Sequence, residues 1–179
     1  GGAQDNGTST GVGFSDHTFH MIGGGDGFRT YRGNSDGDII RYLSFQKGRL
    51  IAQTYFTGDI WTQDEITPDQ ELNDDDIGRG AWDTPYQPNP NNINELLAGY
   101  KRLYYSGDSG DDWLQLSFPN GISYDVNGEN DNGLITELAW SPLNGNVLFF
   151  FIADATKRHL YKCETFYGSI FSGSLQQYL

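Results

Sequence analysis

One cysteine, Cys163, and one methionine are all the sulfur in this 179-residue chain. A lone cysteine excludes an intrachain disulfide, and with it the small disulfide-stapled folds. None is needed, because a chain of this length buries roughly two thirds of its unfolded surface. Cys163 ends the alternating stretch His159-Leu160-Tyr161-Lys162-Cys163, which predicts a buried thiol. Basic residues are scarce: 11 Lys and Arg stand against 24 Asp and Glu, a net charge of -13. Such a chain repels phosphate backbones, which excludes nucleic acid as a partner, and the plain use of the acidity is solubility. Long apolar runs are missing, so no transmembrane helix is expected. No signal-peptide pattern is present, and the start at Gly1 predicts a processed product or a fragment.

Chemistry-bearing motifs are thin as well. There are three histidines: His17 and His20 near the N-terminus beside Asp16, and His159 in a strand-like stretch. Two such imidazoles without a further ligand cluster do not define a metal site. No Gly-x-Ser-x-Gly elbow occurs. Gly23-Gly24-Gly25-Asp26-Gly27 is followed by no helix pattern that could cradle a phosphate. The expected catalytic set is therefore none.

Aromatics and glycine are abundant, at 15% Phe, Trp and Tyr with 24 Gly. Stretches 28–31, 39–45, 50–56, 101–105, 113–118, 135–140, 147–152 and 159–163 read as strands, being β-branched and aromatic between polar breaks. Asn34-Ser35-Asp36-Gly37, Lys47-Gly48, Asn120-Gly121, Asn127-Gly128 and Asn144-Gly145 supply residues that tolerate positive φ. Short strand–turn–strand spacing predicts antiparallel hairpins and a single all-β domain. The best helix candidate is 91–100. Residues 59–92 are polar and hold four of the six prolines, which predicts a long surface insertion.

Three stretches share a pattern of aromatic strand, acidic turn, second strand and glycine turn: 28–48, 101–121 and 147–168. The second and third are spaced like propeller blades. In these stretches Phe28 to Tyr31 and Lys101 to Tyr105, with Arg29 and Arg102, resemble the first blade strand of the fungal fucose-binding lectins. Asp36-Gly37 is similar to that family's turn, Leu138-Ala139-Trp140 to its inner strand, and Phe171-Ser172-Gly173-Ser174-Leu175 to its closing segment. The resemblance implies a propeller and carbohydrate binding through Arg and neighbouring aromatics. At the family's sugar-binding Glu this chain has Arg41, Gln115 and Tyr161, and the third unit has Leu148 in place of Arg. Fucose specificity is therefore not carried over. Ring closure with so few units would need four blades or assembly of two chains, a homo-oligomer. A β-sandwich or β-prism is the alternative architecture.

Carbohydrate sites pair an aromatic face with aimed hydrogen bonds. The candidates are Arg29, Tyr31, Arg102, Tyr104, Trp113 and Trp140, although for Tyr104 and Trp140 a place in the core is the favoured reading. Trp61 and Trp82, inside the polar segment, are candidate partner contacts. Asp36, Asp38, Asp108 and Asp111 lie in acidic turns whose oxygens suit calcium, yet no EF-hand loop is present, so no cofactor is assigned. The sequon Asn6-Gly7-Thr8 points to secretion. The leading expectation is a secreted, non-catalytic, lectin-like protein that binds a carbohydrate or glycoconjugate. A secreted interaction protein, effector or toxin component is the alternative. A carbohydrate-active enzyme with a carboxylate pair near Trp61 or Trp82 is the third reading.

Overall fold

The computed structural model describes residues 1–11, 18–56, 60–72, 80–116, 133–153 and 158–163, and the backbone pairing of 166–167, 170–171 and 175–177. Among these residues the structure is all-β, with single 3-10 turns at Gln46–Gly48 and Asp69–Glu71. No helix among them is long and apolar enough to cross a membrane.

Strands β1 (Gly2–Ala3), β2 (Gly7–Gly11) and β3 (Phe19–Gly23) form a small antiparallel first sheet. The second sheet is a meander of β4 (Thr30–Ser35), β5 (Asp38–Ser44), β6 (Leu50–Phe56) and β7 (Ile60–Glu65). The third, also a meander, contains β8 (Tyr86–Asn89), β9 (Asn92–Gly99), β10 (Leu103–Ser106) and β11 (Leu114–Gln115). The fourth begins with β12 (Leu134–Trp140), β13 (Leu148–Ala153) and β14 (Arg158–Cys163). A two-stranded hairpin of β15 (Phe166–Tyr167) and β16 (Ile170–Phe171) follows, and β17 (Leu175–Gln177) completes the fourth sheet beside β14.

The sheets pack face to face in chain order. Leu43, Phe45 and Ile51 of the second sheet meet Ile22 of the first. Its other face sends Ile40, Tyr42, Leu50 and Ala52 against Tyr86, Leu96, Ala98 and Tyr104 of the third. The third sheet then turns Leu97 and Leu103 toward Ile135, Trp140, Leu148 and Phe150 of the fourth. Side chains alternate faces along a strand, so adjacent Leu96 and Leu97 belong to two different cores. This corrects the helix expected over 91–100. A sheet covered on both faces has strands with consecutive apolar residues, the pattern read there as a helical turn.

A two-residue hairpin forms at Asp36-Gly37, where the sequence marked a turn. Ser35 pairs with Asp38 across a two-residue turn, with φ of 50° at Asp36 and 94° at Gly37. That is the primed geometry matching strand twist. The expected turns at Asn120-Gly121 and Asn127-Gly128 lie outside the described residues.

The 59–92 insertion is also corrected. Residues 60–65 are the fourth strand of the second sheet, and 86–89 are the first strand of the third. Between them Ile66, Thr67, Glu71 and Thr84 are buried. The backbone N–H groups of Ile66 and Gly80 donate to the carbonyls of Leu50 and Lys47 at 3.0 and 2.8 Å. The three look-alike stretches occupy different positions in their sheets: β4–β5 open the second, β10–β11 close the third, and β13–β14 lie mid-sheet in the fourth. Three of the sheets are four-stranded, and the look-alike stretches fall out of phase with them.

Candidate functional site

Segments of three sheets meet at Arg29. Arg29, just before β4, sets its Nε and Nη2 on Asp83 at 3.1 and 3.2 Å, and Nη2 also reaches Glu137 of β12 at 3.3 Å. Burial pulls the Arg29 pKa down, but the hydrogen bonds and charge of Asp83, helped by Glu137, outweigh it and raise it. Arg29 thus ties three sheets together, and its fork is committed to two carboxylates. Beside it Tyr31 meets Tyr86 edge to face, ring centroids 5.1 Å apart.

From Tyr31 a groove of about 490 Å³ runs between β4 and the β8–β9 hairpin. Its walls carry Tyr31, Arg32, Asn34, Gln87, Asn89 and Asn91. Several amides are already fixed. Gln87 accepts the Trp140 backbone N–H at 2.7 Å, and Asn89 donates to Glu95 at 2.8 Å. Asn34 and Asn91 remain exposed at the mouth. An aromatic edge, two prolines and pre-oriented amides make a surface suited to hydroxyl-rich ligands.

The other expected ligand residues do not join this groove. Tyr104 and Trp140 are 1% and 3% exposed, so both are core side chains, closed to a ligand. Tyr104 donates to buried Glu71 at 2.8 Å, and the Trp140 indole donates to the Gly145 carbonyl. Trp113 is half-buried against the tyrosine core and donates to the Ile66 carbonyl at 2.7 Å. Arg102 sits on the β9–β10 turn, bonded to Gln115 at 2.9 Å. Trp82 is 52% exposed and meets Phe28 edge to face. Trp61, 38% exposed, lies on β7 with the Arg41 guanidinium 3.7 Å from its ring centroid.

All four acidic candidates, Asp36, Asp38, Asp108 and Asp111, line one cleft with Asp64. Among the described residues, however, no three carboxylate, imidazole or thiol groups come close enough to hold a metal ion. Asp108 instead holds its own turn, accepting from Ser106 at 2.8 Å and from the Asp112 N–H at 3.0 Å. His17 and Asp16 lie outside the described residues, and His20 is exposed on β3. Cys163 is buried in the core between the third and fourth sheets, as its alternation predicts.

The sequence reading missed Asp83, Glu137, Gln87 and Asn91. The Arg29 contacts span 54 and 108 residues, which no local pattern reveals. Comparison with family models, with curated proteins and with solved structures yields no match.

Proposed function

We propose that this chain is a secreted, non-catalytic carbohydrate-binding protein of propeller type, taking a saccharide in the groove between its second and third sheets. The observation that carries the reading is that groove. It lies between face-packed antiparallel sheets and is lined by Tyr31, Asn34, Gln87, Asn89 and Asn91. Radial stacking of four-stranded sheets is how propellers protect strand edges. The meeting of Arg29, Asp83 and Glu137 brings parts of three sheets together, which supports that arrangement. The resemblance of 28–31 and Asp36-Gly37 to lectin blades agrees with that arrangement.

A glycan array of the purified protein, run with calcium and with chelator, tests the reading. The expected result is binding to a related set of saccharides, unchanged by chelator. A blank array under both conditions would sink it, and chelator-sensitive binding would move the site to the aspartate cleft. A second reading, recognition of a protein partner, has one observation in its favour. Phe19 and Met21 on β3, an edge strand, are 73% and 68% exposed, more apolar surface than an isolated edge usually shows.

A further inference from the structure

Across β4 from the groove, the second sheet holds two arginines face to face. The turn at Asp36-Gly37 fixes the register so that Arg32 of β4 stands directly opposite Arg41 of β5. Like charges in this position repel. Arg32 and Arg41 make no ion pair among the described residues, in a chain with 24 Asp and Glu. Arg41 is held instead by its stack on Trp61. Its Nε is buried and has no hydrogen-bond partner. Burial and the neighbouring Arg32 both lower the Arg41 pKa, so the site disfavours the charge it carries.

The two arginines line a cleft of about 120 Å³ with Thr8, Ser9 and Thr10 of β2. Thr8 is fully buried, and its hydroxyl is likewise unpartnered. Buried polar atoms without partners are rare in folded proteins and call for an explanation. Here the two residues that carry them line one small cleft beside an uncompensated pair of cations. The cleft and the groove share Tyr31 and Arg32.

We propose that Arg32 and Arg41 form a subsite for a carboxylate in the cleft beside Thr8, so that the preferred ligands are acidic saccharides. The inference rests on the carbohydrate-binding reading above. A guanidinium fork matches a carboxylate in shape and charge. The cleft, about 120 Å³, has room for a carboxylate. Trp61 positions Arg41 and provides an optical signal for events at its guanidinium.

The test compares tetragalacturonate with its methyl ester, and sialyllactose with lactose, by titration calorimetry and tryptophan fluorescence. The carboxylate-bearing member of at least one pair binds about tenfold tighter than its neutral partner. That preference shrinks as salt rises. Arg32→Gln and Arg41→Gln each abolish the preference, and Arg32→Gln leaves the melting temperature level or higher, since it removes a like-charge contact. Arg32 is exposed, so its variant reports even if Arg41→Gln folds poorly. Equal binding of acidic and neutral partners overturns the subsite and leaves the lectin reading standing. So does a preference that survives both substitutions. Failure of every saccharide on the full array overturns both.

Discussion

Replacing Gly48 by alanine is expected to lower stability by roughly 2–5 kcal/mol, read as a shift in the urea midpoint at unchanged slope. Gly48 closes the β5–β6 turn with φ of 84°. A side chain there meets the left-handed penalty, of order 1–2 kcal/mol. A Cβ at this position would also lie 2.5 Å from Tyr100 Cε1 and 2.7 Å from Thr84 Oγ1. Both neighbours are buried, so neither can yield without opening the second and third sheets. Overpacking adds about 1–3 kcal/mol, a large share of the roughly 5–15 kcal/mol that holds a domain together. The Gly48 carbonyl also accepts the Tyr100 hydroxyl, so a displaced turn loses that bond too. An alanine variant as stable as the parent would show that the turn and the tyrosine core are not packed as described.

The second large effect is cooperative unfolding in alkali. Four buried tyrosines lace the second sheet to the third. Tyr42 donates to the Ile93 carbonyl at 3.0 Å, Tyr86 to Arg29 at 2.9 Å, Tyr100 to Gly48, and Tyr104 to Glu71 at 2.8 Å. Only a neutral phenol can donate, and a phenolate buried beside these oxygens has no compensation. Burial pushes Tyr42 up to about 12. It raises Tyr86 and Tyr100 well above the usual value of 10.0. Tyr104 is raised by burial and then by its bond to Glu71. A folded pKa above the unfolded one means that the folded state holds the proton more tightly. The resulting stability is complete below pH 10 and is lost as pH climbs from there through about 12 and beyond. Absorbance at 295 nm should therefore show some of the 11 tyrosines titrating normally. The rest should ionise in one step with the loss of circular dichroism. Titration of all 11 near pH 10 with an unchanged dichroism spectrum would contradict the lacing.

Legibility followed the range of the interactions. Asp36-Gly37 announced its hairpin because a two-residue primed turn is a local signal, and its register places Arg32 opposite Arg41. Symmetry about that turn could have exposed the arginine pair from sequence alone. Residues 59–92 hid two strands. In β7, Trp61 to Glu65 are all exposed, so the strand lacks a polar–apolar alternation. β8 contains Pro88, which is tolerated because β8 is an edge strand with a spare donor side. Proline and polarity signal a loop unless the sheet order is known. The four stretches 39–45, 50–56, 147–152 and 159–163 read correctly because β-branched and aromatic residues fill central strands.

The candidate site was less legible than the fold. Of the residues expected to touch a ligand, Tyr31 alone lines the groove. Tyr104 and Trp140 went to the core because a sheet buried on both faces absorbs aromatics that a one-faced sheet would display. Gln87 and Asn91, in a segment read as insertion, face β4 only because the second and third sheets stack.

Blocking that groove is the most direct test of saccharide binding there. Asn91 is exposed at its mouth, so Asn91→Trp should fill the groove without disturbing the core. Titration calorimetry of the best saccharide from the array should show at least about tenfold weaker binding to the variant, with the melting temperature unchanged. Binding of parent strength by a folded Asn91→Trp variant would contradict the groove as the site.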